Sequence, residues 1–168
     1  MTGQLPASAY SAREDGGVFS SLVPTSASEL EVLRESTPGL PEAFYTFANE
    51  IGLGQTLDGV TLYPPEPAVA VPDQTSAQLY NGEAMRNLRT MFGGRPPTPP
   101  ALDLTRVYEF CHTGASWSYC FVPDQGTAVY ALDYSGPTLN ADYESFADFI
   151  ESLIGPSDGS EDRTHSAP

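Results

Sequence analysis

The stretch RVYEFCHTGASWSYCFVPDQGTAVYALDY, residues 106–134, decides the fold. Three runs rich in aromatic and β-branched residues follow one another, at 106–111, 116–122 and 127–134. His112-Thr113-Gly114-Ala115 separates the first two, and Pro123-Asp124-Gln125-Gly126 the last two. Both separators are turn chemistry: proline fixes φ early, Asp bonds the backbone two residues on, and Gly accepts a positive φ. In the middle run Trp117, Tyr119 and Phe121 alternate with Ser118, Cys120 and Val122, the period of a strand. The reading is a three-stranded antiparallel meander. Directly after it, residues 140–154 place Tyr143, Phe146, Ala147, Ile150, Leu153 and Ile154 at helical spacing. Asp142, Glu144, Asp148 and Glu151 fall on the opposite side, and Gly155-Pro156 stops the helix. Sheet and closing helix together predict an α+β fold: a mostly antiparallel twisted sheet of four to six strands with helices packed against it.

Towards the N-terminus, Leu40, Phe44, Phe47, Ala48 and Ile51 form a single apolar stripe at helical spacing, with Pro41 near the start and Gly52 at the exit. A shorter helix runs through Leu30, Leu33 and Arg34, capped by Ser26 or Ser28, and stops before Pro38-Gly39. Asp58-Gly59 is a turn, and residues 60–63 read as a strand halted by Pro64-Pro65. Residues 76–91 have a weak helical period, and the proline-rich stretch 93–100 reads as a stiff connector. Residues 1–25 show neither period and are expected to be a flexible tail, with at most one anchoring contact near Phe19–Val23; 155–168 are expected to be a disordered one. A single domain over 26–154 remains.

Charge narrows the function. Twenty-two carboxylates face seven cations, a formal charge of −15, and every cation is arginine. Without lysine there is no Schiff-base chemistry and no lysine clamp on a nucleotide phosphate. Little cationic surface is left to neutralise a nucleic-acid backbone, so no nucleic-acid partner is expected. An acidic surface favours basic protein partners. No stretch approaches the ~20 apolar residues of a membrane span, and the first twenty-odd residues lack a signal-peptide pattern. Cys111 and Cys120 could face each other across a hairpin, but two cysteines are no disulfide framework for a domain this size. The expectation is a cytoplasmic protein with reduced thiols.

No catalytic or metal-binding constellation emerges, so no catalytic residue, metal or cofactor is assigned. His112 and His165 are the only histidines; the first adjoins Cys111, and strand neighbours point to opposite faces, which disfavours a Cys–His dyad. Gly52-Leu53-Gly54 is a helix exit rather than a phosphate cradle. Aromatics on both faces of the strands exceed what a one-sided core needs. Trp117 and Tyr119 are therefore candidate anchors for a protein partner, with Asp124, Asp133, Asp58 and Glu66 as the acidic surround.

The order of parts resembles the SUKH superfamily. Gly39-Leu40-Pro41-Glu42-Ala43-Phe44-Tyr45-Thr46-Phe47-Ala48-Asn49 is similar to the helix that opens those domains, and Gly59-Val60-Thr61-Leu62-Tyr63 to the strand that follows. Thr127-Ala128-Val129-Tyr130-Ala131-Leu132-Asp133 and Ala141-Asp142-Tyr143-Glu144-Ser145-Phe146-Ala147-Asp148-Phe149-Ile150 resemble its later strand and closing helix. Here Glu50-Ile51-Gly52 stands where the family places Gly directly after Asn. The resemblance implies a non-catalytic binding module, most often a bacterial immunity protein that occludes a cationic partner toxin. The competing class is an intracellular scaffold that recruits partners through the same fold; a small-molecule enzyme is the third.

Overall fold

A computed structural model describes residues 3–67, 106–114, 117–133 and 138–155. The expected helix at 76–91, the connector at 93–100 and the C-terminal tail beyond Gly155 lie outside the described residues.

Six strands form one antiparallel sheet in chain order: β1 Gly54–Gln55, β2 Thr61–Pro67, β3 Tyr108–His112, β4 Trp117–Phe121, β5 Val129–Asp133 and β6 Thr138–Tyr143. Among the described residues the helices are α1 Ala7–Ser11, α2 Ala27–Ser36, α3 Glu42–Glu50 and α4 Phe146–Ile154. The fold is thus α+β, a meander with the described helices packed on one face. The three strands of the central stretch form as their alternation requires, joined through Gly114 at φ 81° and a 3-10 turn at Pro123–Gln125.

α2 is held by a reciprocal capping box: Ser26 accepts from the Glu29 N–H and Glu29 accepts from the Ser26 N–H. The α3 stripe lands in the core as its period demands, with Phe44, Phe47, Ala48 and Ile51 fully buried. Against it pack Phe110 and Phe121, stacked at 4.2 Å, and Phe146 of α4, 5.6 Å from both Phe44 and Phe47. A bulge in β3 between Glu109 and Cys111 turns both Phe110 and Cys111 toward the helices. The opposite face carries a smaller cluster, Val107, Cys120, Val122 and Leu132. The two cysteines therefore lie on opposite faces of the sheet, both free and both buried.

Three expectations are corrected. Residues 3–25 are not a flexible tail: α1 and the segments on either side of it bury Leu5, Ala9, Phe19 and Leu22 in the main core, and Phe19 meets Phe47 edge-on at 5.3 Å. Residues 140–154 are not one helix. β6 takes the first part, pairing along β5, and the helix starts only where Ser145 caps the Asp148 N–H. Pairing on a sheet edge outweighs the local helical period there. Finally, β2 runs through Pro64-Pro65 to Pro67. β1 pairs only with Thr61 and Leu62, and the β2–β3 register shifts between Leu62 and Glu66, so both prolines fall where a donor is not required.

Candidate protein-interaction surface

The antiparallel order places five of the six candidate residues at two ends of the sheet, and Tyr119 in the middle of β4. The start of β2, the end of β3, the start of β4 and the end of β5 share one end, through the register pairs Thr61–His112, His112–Ser118 and Trp117–Asp133. Asp58, in the turn just before β2, belongs to this end and is exposed. Trp117 is 45% exposed there, its carbonyl accepting from the Thr113 hydroxyl at 3.3 Å. His112, also exposed, accepts the Gly114 N–H on Nδ1 at 2.9 Å and so shapes the neighbouring turn. Asp124 and Glu66 lie at the opposite end, about 17 Å away for five-residue strands. Asp124 is paired with Arg106 at 2.8 Å, an exposed contact worth about 0–1 kcal/mol.

Tyr119 does not belong with Trp117 on the surface, although both point to the same face. α4 covers it: its ring packs 4.9 Å from Phe149 and 5.8 Å from Tyr143. Burial, then its contact with the Tyr143 hydroxyl, drives its phenol well above the ordinary range. Tyr119 is half-buried and packs against the core. The sheet end with Trp117, Asp58 and Asp133 is what remains of the candidate surface.

Sequence reasoning missed a half-buried carboxylate on the other face, one oxygen of which is out of reach of solvent. Glu109 is the lone carboxylate in the apolar run Val107-Tyr108-Glu109-Phe110-Cys111, and that isolation was the available signal. Burial pushes its carboxyl above the usual range, and Glu66, its register partner on β2, pushes it further. The Ser118 hydroxyl is near enough to offset part of this, yet Ser118 Oγ and Glu109 Oε1 both lack a partner in hydrogen-bonding geometry. Tyr63 beside it is raised too, chiefly by burial. Burial pushes the Cys111 thiol up to about 12 and Cys120 beyond that, so neither is a thiolate at neutral pH.

Glu109 gives a pH-dependent prediction. Its folded pKa lies above its unfolded value, so the folded state holds the proton more tightly. That contribution is full below the ordinary Glu range, near ~4.3, and is lost as pH rises through the raised folded value. Glu109→Gln cannot ionise, so its melting temperature relative to the parent should improve from pH 4 to pH 7.5. Paired thermal melts at the two pH values check this; an offset that does not change with pH would show that Glu109 titrates normally.

A cavity of about 220 Å³ opens where α3 and α4 begin, lined by Pro41, Ala43, Ser145, Phe146 and Ala147 with Gln4 and Thr127. Ser145 is spent on capping its own helix, and Glu42 and Asp148 already occupy the first turns, which disfavours an anion there. Among the described residues no three His, Cys, Asp or Glu side chains converge to hold a metal ion. No described helix is long and apolar enough to cross a membrane. Comparison of the chain with protein-family models, curated proteins and solved structures found no match.

Proposed function

We propose that this chain is a SUKH-like, non-catalytic binding module of the immunity type, acting in the bacterial cytoplasm, which covers the active surface of a cationic toxin domain. One observation carries the reading. Each cation among the described residues is already engaged: Arg34 by Glu42, Arg106 by Asp124, and Arg13 by the Glu50 carbonyl. Exposed Glu31, Glu35, Asp58, Glu66, Asp142, Glu144 and Glu151 are in no ion pair among the described residues. Such a surface attracts a basic partner over a distance of about a Debye length, speeds its capture and adds selectivity. The exposed indole of Trp117, with Asp58 and Asp133 at the same sheet end, supplies an anchor of the kind that dominates binding energy.

The test is capture of partners by the tagged chain from its native organism, washed in rising salt. One dominant basic protein released by salt, whose toxicity the chain suppresses, is the expected result. Several partners insensitive to salt would instead favour the recruiting scaffold. Trp117→Ala should weaken the captured complex by more than ~1 kcal/mol, at least about fivefold, while the thermal melt stays within a few degrees of the parent.

A further inference from the structure

The two edges of the sheet are finished differently. β1 is only two residues long, and the N-terminal segment crosses it. Val23 and Leu53 exchange both backbone hydrogen bonds at 2.9 Å, the Leu57 N–H donates to the Val18 carbonyl at 3.1 Å, and Ser21 Oγ donates to the Gln55 carbonyl at 2.6 Å. A short strand covered by a loop is how proteins keep an edge from recruiting other chains.

Among the described residues β6 has none of these devices. Its six residues, TLNADY, contain no proline and no lysine. Asn140, Ala141 and Asp142 are exposed, and no described residue hydrogen-bonds to its outer side. The one register shift falls at its far end, between the pairs Val129–Tyr143 and Tyr130–Ala141. Positions 138–141 pair with β5 residue by residue. Their outward N–H and C=O groups form a template for another strand.

Charge selects the occupant. Asp142 sits on this edge, exposed Glu144 follows it, and exposed Asp148 and Glu151 lie on the helix that comes next. A second copy would bring a further −15 against the first and set like charges opposite one another. We propose that β6 is a docking edge which an extended, arginine- or lysine-rich segment of a partner protein joins as a seventh strand. This rests on the cationic-partner reading and names the part of the surface used.

The test pairs Asn140→Pro with Ala141→Pro in the full chain. Successive residues of a strand point their N–H groups to opposite sides, so one proline removes an outward donor and the other breaks the β5 ladder. Thermal melts tell them apart: the outward variant keeps the parent's melting temperature within a few degrees. Fluorescein-labelled eight-residue peptides, alternating Arg-Val or Glu-Val, are then titrated by anisotropy. The Arg-Val peptide should bind, the Glu-Val peptide should bind at least tenfold more weakly, and the outward proline should weaken Arg-Val binding at least tenfold. Equal binding by that variant would overturn the edge while leaving a cationic partner elsewhere on the acidic surface. No binding of the Arg-Val peptide to the parent would also overturn it, as would self-association in sedimentation that the outward proline abolishes, since the occupant would then be a second copy. Loss of the cationic-partner reading itself is seen separately, as capture of salt-insensitive partners.

Discussion

Phe146→Ala should cost about 3–5 kcal/mol, a fifth or more of the roughly 5–15 kcal/mol stability of an ordinary domain. Phe146 is 1% exposed, and its ring meets Phe44, Phe47, Phe110, Phe121 and Phe149, so the substitution empties the point where α3, β3, β4 and α4 converge. Those partners are ring edges and faces fixed by two helices and a sheet, which limits how far they can collapse into the void. Apolar transfer and the remaining cavity therefore both contribute to the loss. For a domain of about 150 residues this is a fall in melting temperature of roughly 6–20 °C. Phe146→Leu, which keeps most of the volume, should lose far less. Urea unfolding of both variants checks the ordering; a loss under ~1 kcal/mol for the alanine would mean that the rings do not close around this position.

The residues that fixed these elements differ in how much they revealed. The α3 stripe was legible because Leu40, Phe44, Phe47, Ala48 and Ile51 need only one period to describe, and tertiary structure had no reason to contradict it. The β3–β5 meander was legible because its turns carry Gly114 and Gly126 at positive φ, and those turns fix which runs are neighbours. β6 was not. Asn140-Ala141-Asp142 has no β-branched residue, faces solvent, and joins a helical period that continues into Phe146. The surface was legible only to the level of a face. Trp117 and Tyr119 share one by strand period, yet what separates them is how far α4 reaches along the sheet, covering the second and leaving the first. Glu109 shows the converse case: its chemistry depends on Glu66 and Ser118 arriving from neighbouring strands, and no local pattern carries that information.

The same limit explains the N-terminal segment, where a chain beginning at Ser26 should fold poorly or not at all. Leu5, Ala9 and Ala12 fall at i, i+4 and i+7, but two of the three are alanines and Gly16-Gly17 interrupts the run before Phe19 and Leu22, so the period carries little apolar weight; each of the five is nonetheless buried in the main core. Phe19 alone is fully buried against Phe47, so Phe19→Ala should cost about 3–5 kcal/mol. Truncation removes all five side chains and also the backbone bonds to Leu53 and Leu57 that close the β1 edge. Two glycines show how tightly this segment is seated. A Cβ at Gly52, whose φ is +124°, would stand 2.5–2.7 Å from the backbone of Val23, and one at Gly17 would stand 2.2 Å from the Ala12 carbonyl oxygen. Gly52→Ala should therefore push the segment off its seat and reproduce part of the truncation's loss, with the added strain of a left-handed backbone at a non-glycine residue. Circular dichroism melts of the truncated chain, Phe19→Ala and Gly52→Ala give the comparison. If the truncated chain melts cooperatively within a few degrees of the parent, residues 3–25 contribute nothing to the fold and the closed β1 edge must be held by the rest of the chain.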